Sequence, residues 1–151
     1  MFWFNRSDPR VVFVDIRCEE LTYSGDRQLV VKPDIIADFR ALPFADETFQ
    51  IVVFDPPHLL SPGPNSWLKA KYGGLKPQTW RHDITAGFRE AFRVLKPNGT
   101  LIFKWNETDI PTKEVLKLTD REPLCGHPSG KRANTQWVCF LNEQTEWDEL
   151  I

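Results

Sequence analysis

Four consecutive residues, Asp55-Pro56-Pro57-His58, follow an apolar run and combine a carboxylate, two rigid prolines and an imidazole ring. Proline fixes φ and presents a carbonyl without an N–H, so the two prolines hold backbone acceptors in a set direction between the carboxylate and the ring. Such a tetrad is suited to bind the hydrogens of an NH2 group. Taken alone, it has a second interpretation, a strand that simply ends at a Pro-Pro turn.

Two further acids, Asp15 and Asp38, also follow short apolar runs. In open α/β sheets, ligands bind outside the carboxyl ends of the strands, so acids at these ends are candidates for one site. An acid after the second strand of a nucleotide-binding sheet can accept from ribose hydroxyls, which makes Asp15 a candidate for binding a nucleoside cofactor. Asp38 could accept from an adenine amine. Each acid alone could equally begin a turn or cap a helix.

The elements that position these acids are typical of an α/β domain. Continuous apolar runs predict strands buried in a parallel sheet at residues 10–15, 34–38, 49–54 and 100–105. A turn is expected around residues 24–26. Between the last two strands, apolar residues recur at helical spacing, which predicts a helix and a parallel crossover; they are Ile84, Phe88, Ala91, Phe92 and Leu95.

The last third of the chain predicts a short helix at residues 112–118 and a late strand at residues 134–141, at an antiparallel position of the sheet. Residues 122–132 indicate a short strand or turn followed by a loop. The acidic tail, residues 143–151, is expected to fray.

Residues 59–81 contain several prolines and glycines and no clear period, and loops of this length are usually lids or binding loops. The segment mixes aromatic and basic side chains, which can stack bases and contact phosphates; they are Trp67, Tyr72, Trp80, Lys69, Lys71, Lys76 and Arg81. The alternative is a surface loop whose aromatic side chains anchor it to the core.

Composition predicts one domain over residues 1–151, without a membrane span or signal peptide, and a cytoplasmic location. The formal net charge of −2 argues against a surface that binds nucleic acid everywhere, but a local basic patch stays possible. Cys18, Cys125 and Cys139 are far apart in sequence, so we expect neither a disulfide framework nor a metal site. The oligomeric state stays open.

Several stretches of the chain, in this order, resemble class I S-adenosylmethionine-dependent methyltransferases, particularly small phage and prophage-type bacterial members. The resemblance covers nearly the whole chain and lies in residues 14–17, 33–44, 54–58, 92–99, 103–107, 123–127 and 137–140. It implies a Rossmann-like methyltransferase sheet, mostly parallel with a late antiparallel strand, and S-adenosyl-L-methionine as cofactor.

The resemblance also implies roles for individual residues. Asp15 and Ile16 would bind the cofactor ribose, and Asp38 with Phe39 would bracket its adenine. The tetrad is similar to the Asp/Asn/Ser-Pro-Pro-aromatic motif of amino-methyltransferases acting on adenine, cytosine or a protein glutamine. There the carboxylate and the first proline carbonyl accept from the target amine, so Asp55 would face both the cofactor and the acceptor.

We therefore expect methyl transfer to an amine, on a nucleic-acid base in preference to a protein side chain. The expected substrate contacts are Trp67, Lys69, Tyr72 and Lys104, of which Lys104 could also pair with Asp55. A flipped base would need a stacking ring, and His58 is smaller than the aromatic residue of the motif. The histidine could instead hydrogen-bond the target or accept a proton after transfer.

The chain departs from the family in a second respect, because no first strand or Gly-rich turn precedes the strand that ends at Asp15. In this fold the missing strand is central, and its loss would leave two unpaired inner edges. We expect that the reading frame begins further upstream. The alternative is that the protein closes its sheet differently and binds the cofactor poorly. The rival function is that of a degenerate methyltransferase fold that serves as a non-catalytic binding protein. A dinucleotide-binding oxidoreductase would leave the tetrad unexplained.

Overall fold

The computed structural model describes residues 3–23, 27–60, 62–63, 66–132 and 134–143. The turn expected at residues 24–26 and most of the acidic tail lie outside these residues. The described chain forms strands and helices, which are β1 (Val14–Asp15), β2 (Glu19–Tyr23), β3 (Arg27–Val31), β4 (Ile35–Ile36), β5 (Phe49–Phe54), α1 (Trp67–Tyr72), α2 (Trp80–Arg93), β6 (Leu95–Asn106), α3 (Thr112–Leu116), β7 (Cys125–Ser129) and β8 (Thr135–Leu141).

The main sheet has four strands in the order β5-β6-β8-β7. β5 and β6 are parallel and are connected by a segment that contains α2, which confirms the predicted crossover. β8 is antiparallel to both β6 and β7, as expected for the late strand. The α/β class is therefore confirmed, although the described strands form two parallel pairs and three antiparallel pairs rather than a mostly parallel sheet.

The hydrophobic core lies between α2 and the main sheet. Ile84, Phe88 and Ala91 are at most 2% exposed on the helix, and Phe103 and Phe140 are fully buried on the sheet. Burial of a large apolar side chain contributes about 1.5–3 kcal/mol, so this interface fixes the position of β5 and β6. The predicted helical stripe is this face of α2, except that the helix ends at Arg93 and Leu95 is the first residue of β6.

Gly87 allows α2 to approach the end of β5 closely. A Cβ atom at this position would lie 2.4 Å from the ring of Phe54 and 2.8 Å from the ring of Phe39. These distances are too short for carbon atoms, so only glycine fits without displacement of a ring. The close approach brings residues after β4 against residues at the end of β5.

The strands predicted at residues 10–15 and 34–38 are much shorter in the structure. β1 and β4 have two residues each and pair in parallel, and neither is hydrogen-bonded to the main sheet among the described residues. Before Val14, the backbone N–H of Phe13 donates to the side chain of Asp34 at 2.8 Å instead of extending the ladder. Ile16 and Ile36 are 61% and 62% exposed, so this part is not buried on both faces.

Three further elements, β2, β3 and α1, are absent from the sequence prediction. β2 and β3 form an antiparallel hairpin on either side of the expected turn, with Leu21 opposite Leu29. Within the predicted loop, α1 forms a short helix whose N-terminus is capped by the Ser66 hydroxyl, which accepts from the Lys69 N–H. None of the helices among the described residues is both long and apolar enough to cross a bilayer.

Candidate active site

The tetrad begins where β5 leaves the core. Phe54 is 7% exposed and packs against the rings of Phe88 and Phe103, at centroid distances of 5.6 and 5.7 Å. The next side chain, Asp55, is 45% exposed. The aromatic contacts therefore anchor the strand end and leave the carboxylate accessible, as a binding group requires.

Lys104 lies beside Asp55 because β5 and β6 are in register at Phe54 and Phe103. Its ammonium nitrogen, Nζ, donates to Oδ2 of Asp55 at 2.5 Å. The same nitrogen lies 5.6 Å from the centre of the Trp137 ring, on the residue opposite Lys104 in β8. An amine nitrogen thus occupies the position in front of the carboxylate, between an anion and an aromatic ring.

His58 is half-buried and lies close to two aromatic rings. Its ring centroid lies 5.3 Å from that of Tyr72 on α1 and 6.4 Å from that of Trp105 on β6. Burial lowers the pKa of His58 below its usual value of 6.5; Lys104 lowers the pKa further, while Asp55 and Asp109 act in the opposite direction. The imidazole is therefore neutral at neutral pH and can accept a proton or a hydrogen bond.

The segment 59–81 is tied at its base and folds against the tetrad. The backbone N–H of Leu75 donates to the carbonyl of Leu59 at 2.8 Å. Gly73 has a φ of 73°, and a Cβ there would lie 3.2 Å from the Pro57 side chain. Tyr72 and Lys104 contact the tetrad, whereas Trp67 is half-buried and Lys69 is exposed, both on α1.

Asp15 at the end of β1 is bound by Arg17. Oδ1 accepts from the backbone N–H and from Nε of Arg17 at 2.9 and 3.1 Å, and Oδ2 accepts from Nη2 at 3.0 Å. Nη1 of Arg17 donates to the Ala70 carbonyl of α1 at 2.6 Å. The arginine therefore connects the end of β1 to the helix that covers Pro57 and His58.

Asp38 has the same arrangement with Arg40. Its oxygens accept from the backbone N–H, Nε and Nη2 of Arg40 at 2.6 to 3.0 Å, and these bonds lower the pKa of Asp38. Arg40 also donates to Asp83 on α2 at 2.8 Å. The spacing Asp-X-Arg, which recurs at Asp8 and Arg10, is a signal in the sequence that our reading of the acids missed.

Phe39 is half-buried and packs against the core. Its ring centroid lies 5.5 Å from that of Phe54, and its edge approaches Gly87. Phe39 therefore fastens the end of β4 to the end of β5. Ile16, which follows Asp15, is 61% exposed.

The carboxylates leave limited room for a nucleoside. A carboxylate offers about four lone-pair positions, and Arg17 uses three of those on Asp15. One position on Oδ2 stays available for a ribose hydroxyl, and the Asp15 side chain is 31% exposed. On Asp38, Arg40 makes four contacts with the two oxygens, so an adenine amine would have to displace part of that pair.

Comparison with known proteins gives little further information. No protein-family model and no curated protein matches the chain. Among solved structures, it is similar to the PH0226 protein from Pyrococcus horikoshii OT3, with 18% sequence identity and a TM-score of 0.48. The match covers 71% of this chain and 57% of that chain, so this chain matches little more than half the length of its neighbour.

Proposed function

We propose that this chain is an S-adenosylmethionine-dependent methyltransferase whose acceptor is an amine, with a nucleic-acid base preferred over a protein side chain. The observation that carries the proposal is the 2.5 Å hydrogen bond from the ammonium nitrogen of Lys104 to the carboxylate of Asp55, at the corner that also contains His58. The corner accommodates an amine nitrogen at hydrogen-bonding distance from a carboxylate. An acceptor amine that replaces Lys104 would take up this position.

Asp55 would orient the acceptor. Its carboxylate, with the fixed carbonyl of Pro56, accepts the N–H hydrogens and directs the nitrogen lone pair toward the cofactor. S-adenosylmethionine, when bound, supplies a methyl group on a sulfonium sulfur. The cofactor would leave without its methyl group, and the imidazole of His58 would take the proton that the nitrogen loses once it is methylated. Most of the rate enhancement comes from positioning.

The aromatic surroundings support a base as the acceptor. Although His58 itself offers a small stacking surface, the half-buried ring of Tyr72 lies 5.3 Å from it and enlarges that surface. Trp105 is 1% exposed and belongs to the core. Lys69 and Lys71 lie on the exposed face of α1, where they can approach phosphates. Asp15 at the end of β1 and Asp55 at the end of β5 would hold the cofactor. α1 contacts both strand ends, through Arg17 and through His58.

Calorimetric titration with S-adenosylmethionine and with S-adenosylhomocysteine tests the proposal. We expect both compounds to bind and Asp15→Asn to weaken the binding of each. The matched variant Asp34→Asn should leave both affinities unchanged, because the Asp34 carboxylate accepts a hydrogen bond from the Phe13 backbone N–H. The same titration of a form extended by upstream codons tests the expectation of a longer reading frame. Absence of binding by both forms would reject an active enzyme.

A second function, a non-catalytic binding protein with a methyltransferase-like fold, is favoured by the arginines on Asp15 and Asp38. In that case these acids serve the structure only. Arg17→Met separates the two functions. If Asp15 binds ribose beside Arg17, the variant retains cofactor binding, whereas a folded chain that binds no cofactor with or without Arg17 supports the binding protein.

A further inference from the structure

Two thiols face each other on the outer strands of the main sheet. Cys125 on β7 is directly opposite Cys139 on β8. The Cβ atoms of directly opposite residues in antiparallel strands lie about 4.5–5.5 Å apart. A disulfide requires a Cβ separation of about 3.5–4.5 Å, so a small movement of one strand brings the sulfurs to bonding distance.

The surroundings permit that movement. The first four residues of β7 are exposed, and its single pairing partner among the described strands is β8. Cys125 is exposed, whereas Cys139 is half-buried. Burial and the adjacent Cys125 thiol raise the pKa of Cys139. Because the thiolate is the reactive form, the exposed Cys125 is the thiol that an oxidant meets first.

We propose that Cys125 and Cys139 form a modification site, an oxidisable dithiol that hydrogen peroxide converts to a cross-strand disulfide. The Cys125 thiolate attacks one peroxide oxygen, which breaks the O–O bond, gives a sulfenic acid and releases the first water after protonation. The Cys139 sulfur then displaces the hydroxyl group from the Cys125 sulfur, and the second water leaves. The two thiols lose two electrons, and the peroxide gains them.

The crosslink would act close to the candidate active site. On β8, Trp137 is two residues from Cys139, lies opposite His127 of β7 and contacts Lys104 of β6. A covalent bond between β7 and β8 therefore fixes the edge strand against the residue that packs on Lys104. The dithiol itself does not depend on the proposed methyl transfer.

Thiol titration and intact-mass measurement test the dithiol after treatment of the purified protein with hydrogen peroxide. We expect two of the three thiols to disappear, the mass to fall by two hydrogen atoms, and a reductant to restore both. Cys18→Ser is the matched control and should form the same bond. Cys125→Ser, at an exposed position, should abolish it even where Cys139→Ser disturbs the fold.

Three outcomes would overturn the proposal. One is that all three thiols survive peroxide treatment. Another is a disulfide that includes Cys18 or joins two chains, seen as peptide pairs or as dimers on a non-reducing gel. The third is oxidation of Cys125 to sulfinic acid without loss of the Cys139 thiol.

Discussion

Replacement of Lys104 by methionine removes the amine that faces Asp55 and retains an unbranched apolar side chain. In the structure, the lysine side chain is 26% exposed and the aspartate side chain is 45% exposed. Solvent therefore screens the pair, and ion pairs of this kind contribute about 0.2–1 kcal/mol. We expect the free energy of unfolding of Lys104→Met to fall by no more than this amount.

The same free energy sets the effect on the acceptor. If Lys104 and the acceptor amine compete for Asp55, the acceptor can bind the wild type only after the ion pair breaks. Removal of the lysine abolishes this free-energy cost, so the acceptor binds more tightly. Because 1.4 kcal/mol corresponds to a factor of ten, about 0.2–1 kcal/mol lowers the KM of the acceptor by a factor of up to about five. The rate constant kcat should change little, since Asp55 and His58 stay in place.

Urea unfolding and steady-state methyl transfer from labelled S-adenosylmethionine measure the two effects. Single-stranded DNA is the first acceptor, and Lys104→Arg is the matched control because it preserves the charge beside Asp55. A fall in kcat at unchanged KM would refute the competition and place Lys104 in the reaction itself. A loss of stability well above about 1 kcal/mol would refute the assignment of a screened pair.

Three other predictions concern the framework of the site. Gly87→Ala places a Cβ 2.4 Å from the Phe54 ring and should destabilise the chain by about 1–3 kcal/mol in urea unfolding; unchanged stability would contradict this packing. Arg40→Met removes the ion pair between Arg40 and Asp83, which is 8% exposed, and should lower the free energy of unfolding by about 1–3 kcal/mol. Arg40→Lys should retain part of this ion pair and lose less stability. The pKa of His58 is lower in the folded chain than its usual value of 6.5, which we take for the unfolded chain. Its contribution to the free energy of unfolding is therefore fully present above pH 6.5 and is lost as the pH falls below that value. His58→Gln should therefore lose less stability than the wild type between about pH 7 and 5, and equal losses would contradict a buried neutral ring.

Apolar spacing identified α2 because one face of this helix is buried, and continuous apolar runs identified β5 and β6, although Ile51 of β5 is 58% exposed. The stripe at Ile84 and Phe88 is the buried face of α2, and the run that ends at Phe54 is β5. Tertiary hydrogen bonds ended other elements in ways that local patterns do not specify. The run predicted at residues 10–15 gives only Val14–Asp15, since the Asp34 side chain binds the backbone before it.

The candidate site was only partly accessible to sequence reasoning. The pairing of Lys104 with Asp55 follows from strand register, which fixes neighbours once β5 and β6 are known. The position of Tyr72 beside His58 depends on how the segment 59–81 folds back, and no local period indicates that. The arginines that pair with Asp15 and Asp38 follow them by two residues in the sequence. That this spacing produces an ion pair depends on the turn in which the arginine backbone N–H also donates to the carboxylate.

The most direct test of the central claim is labelled-methyl transfer by the wild type and by Asp55→Ala, with DNA, RNA and protein fractions as acceptors. Cofactor affinity is measured in parallel by calorimetry. For the wild type we expect labelled methyl groups in one fraction. For Asp55→Ala we expect no labelled methyl groups in any fraction, although its cofactor affinity is nearly unchanged. Equal transfer by both proteins, or loss of transfer and cofactor binding in proportion, would contradict the role of Asp55 as the group that positions the acceptor amine.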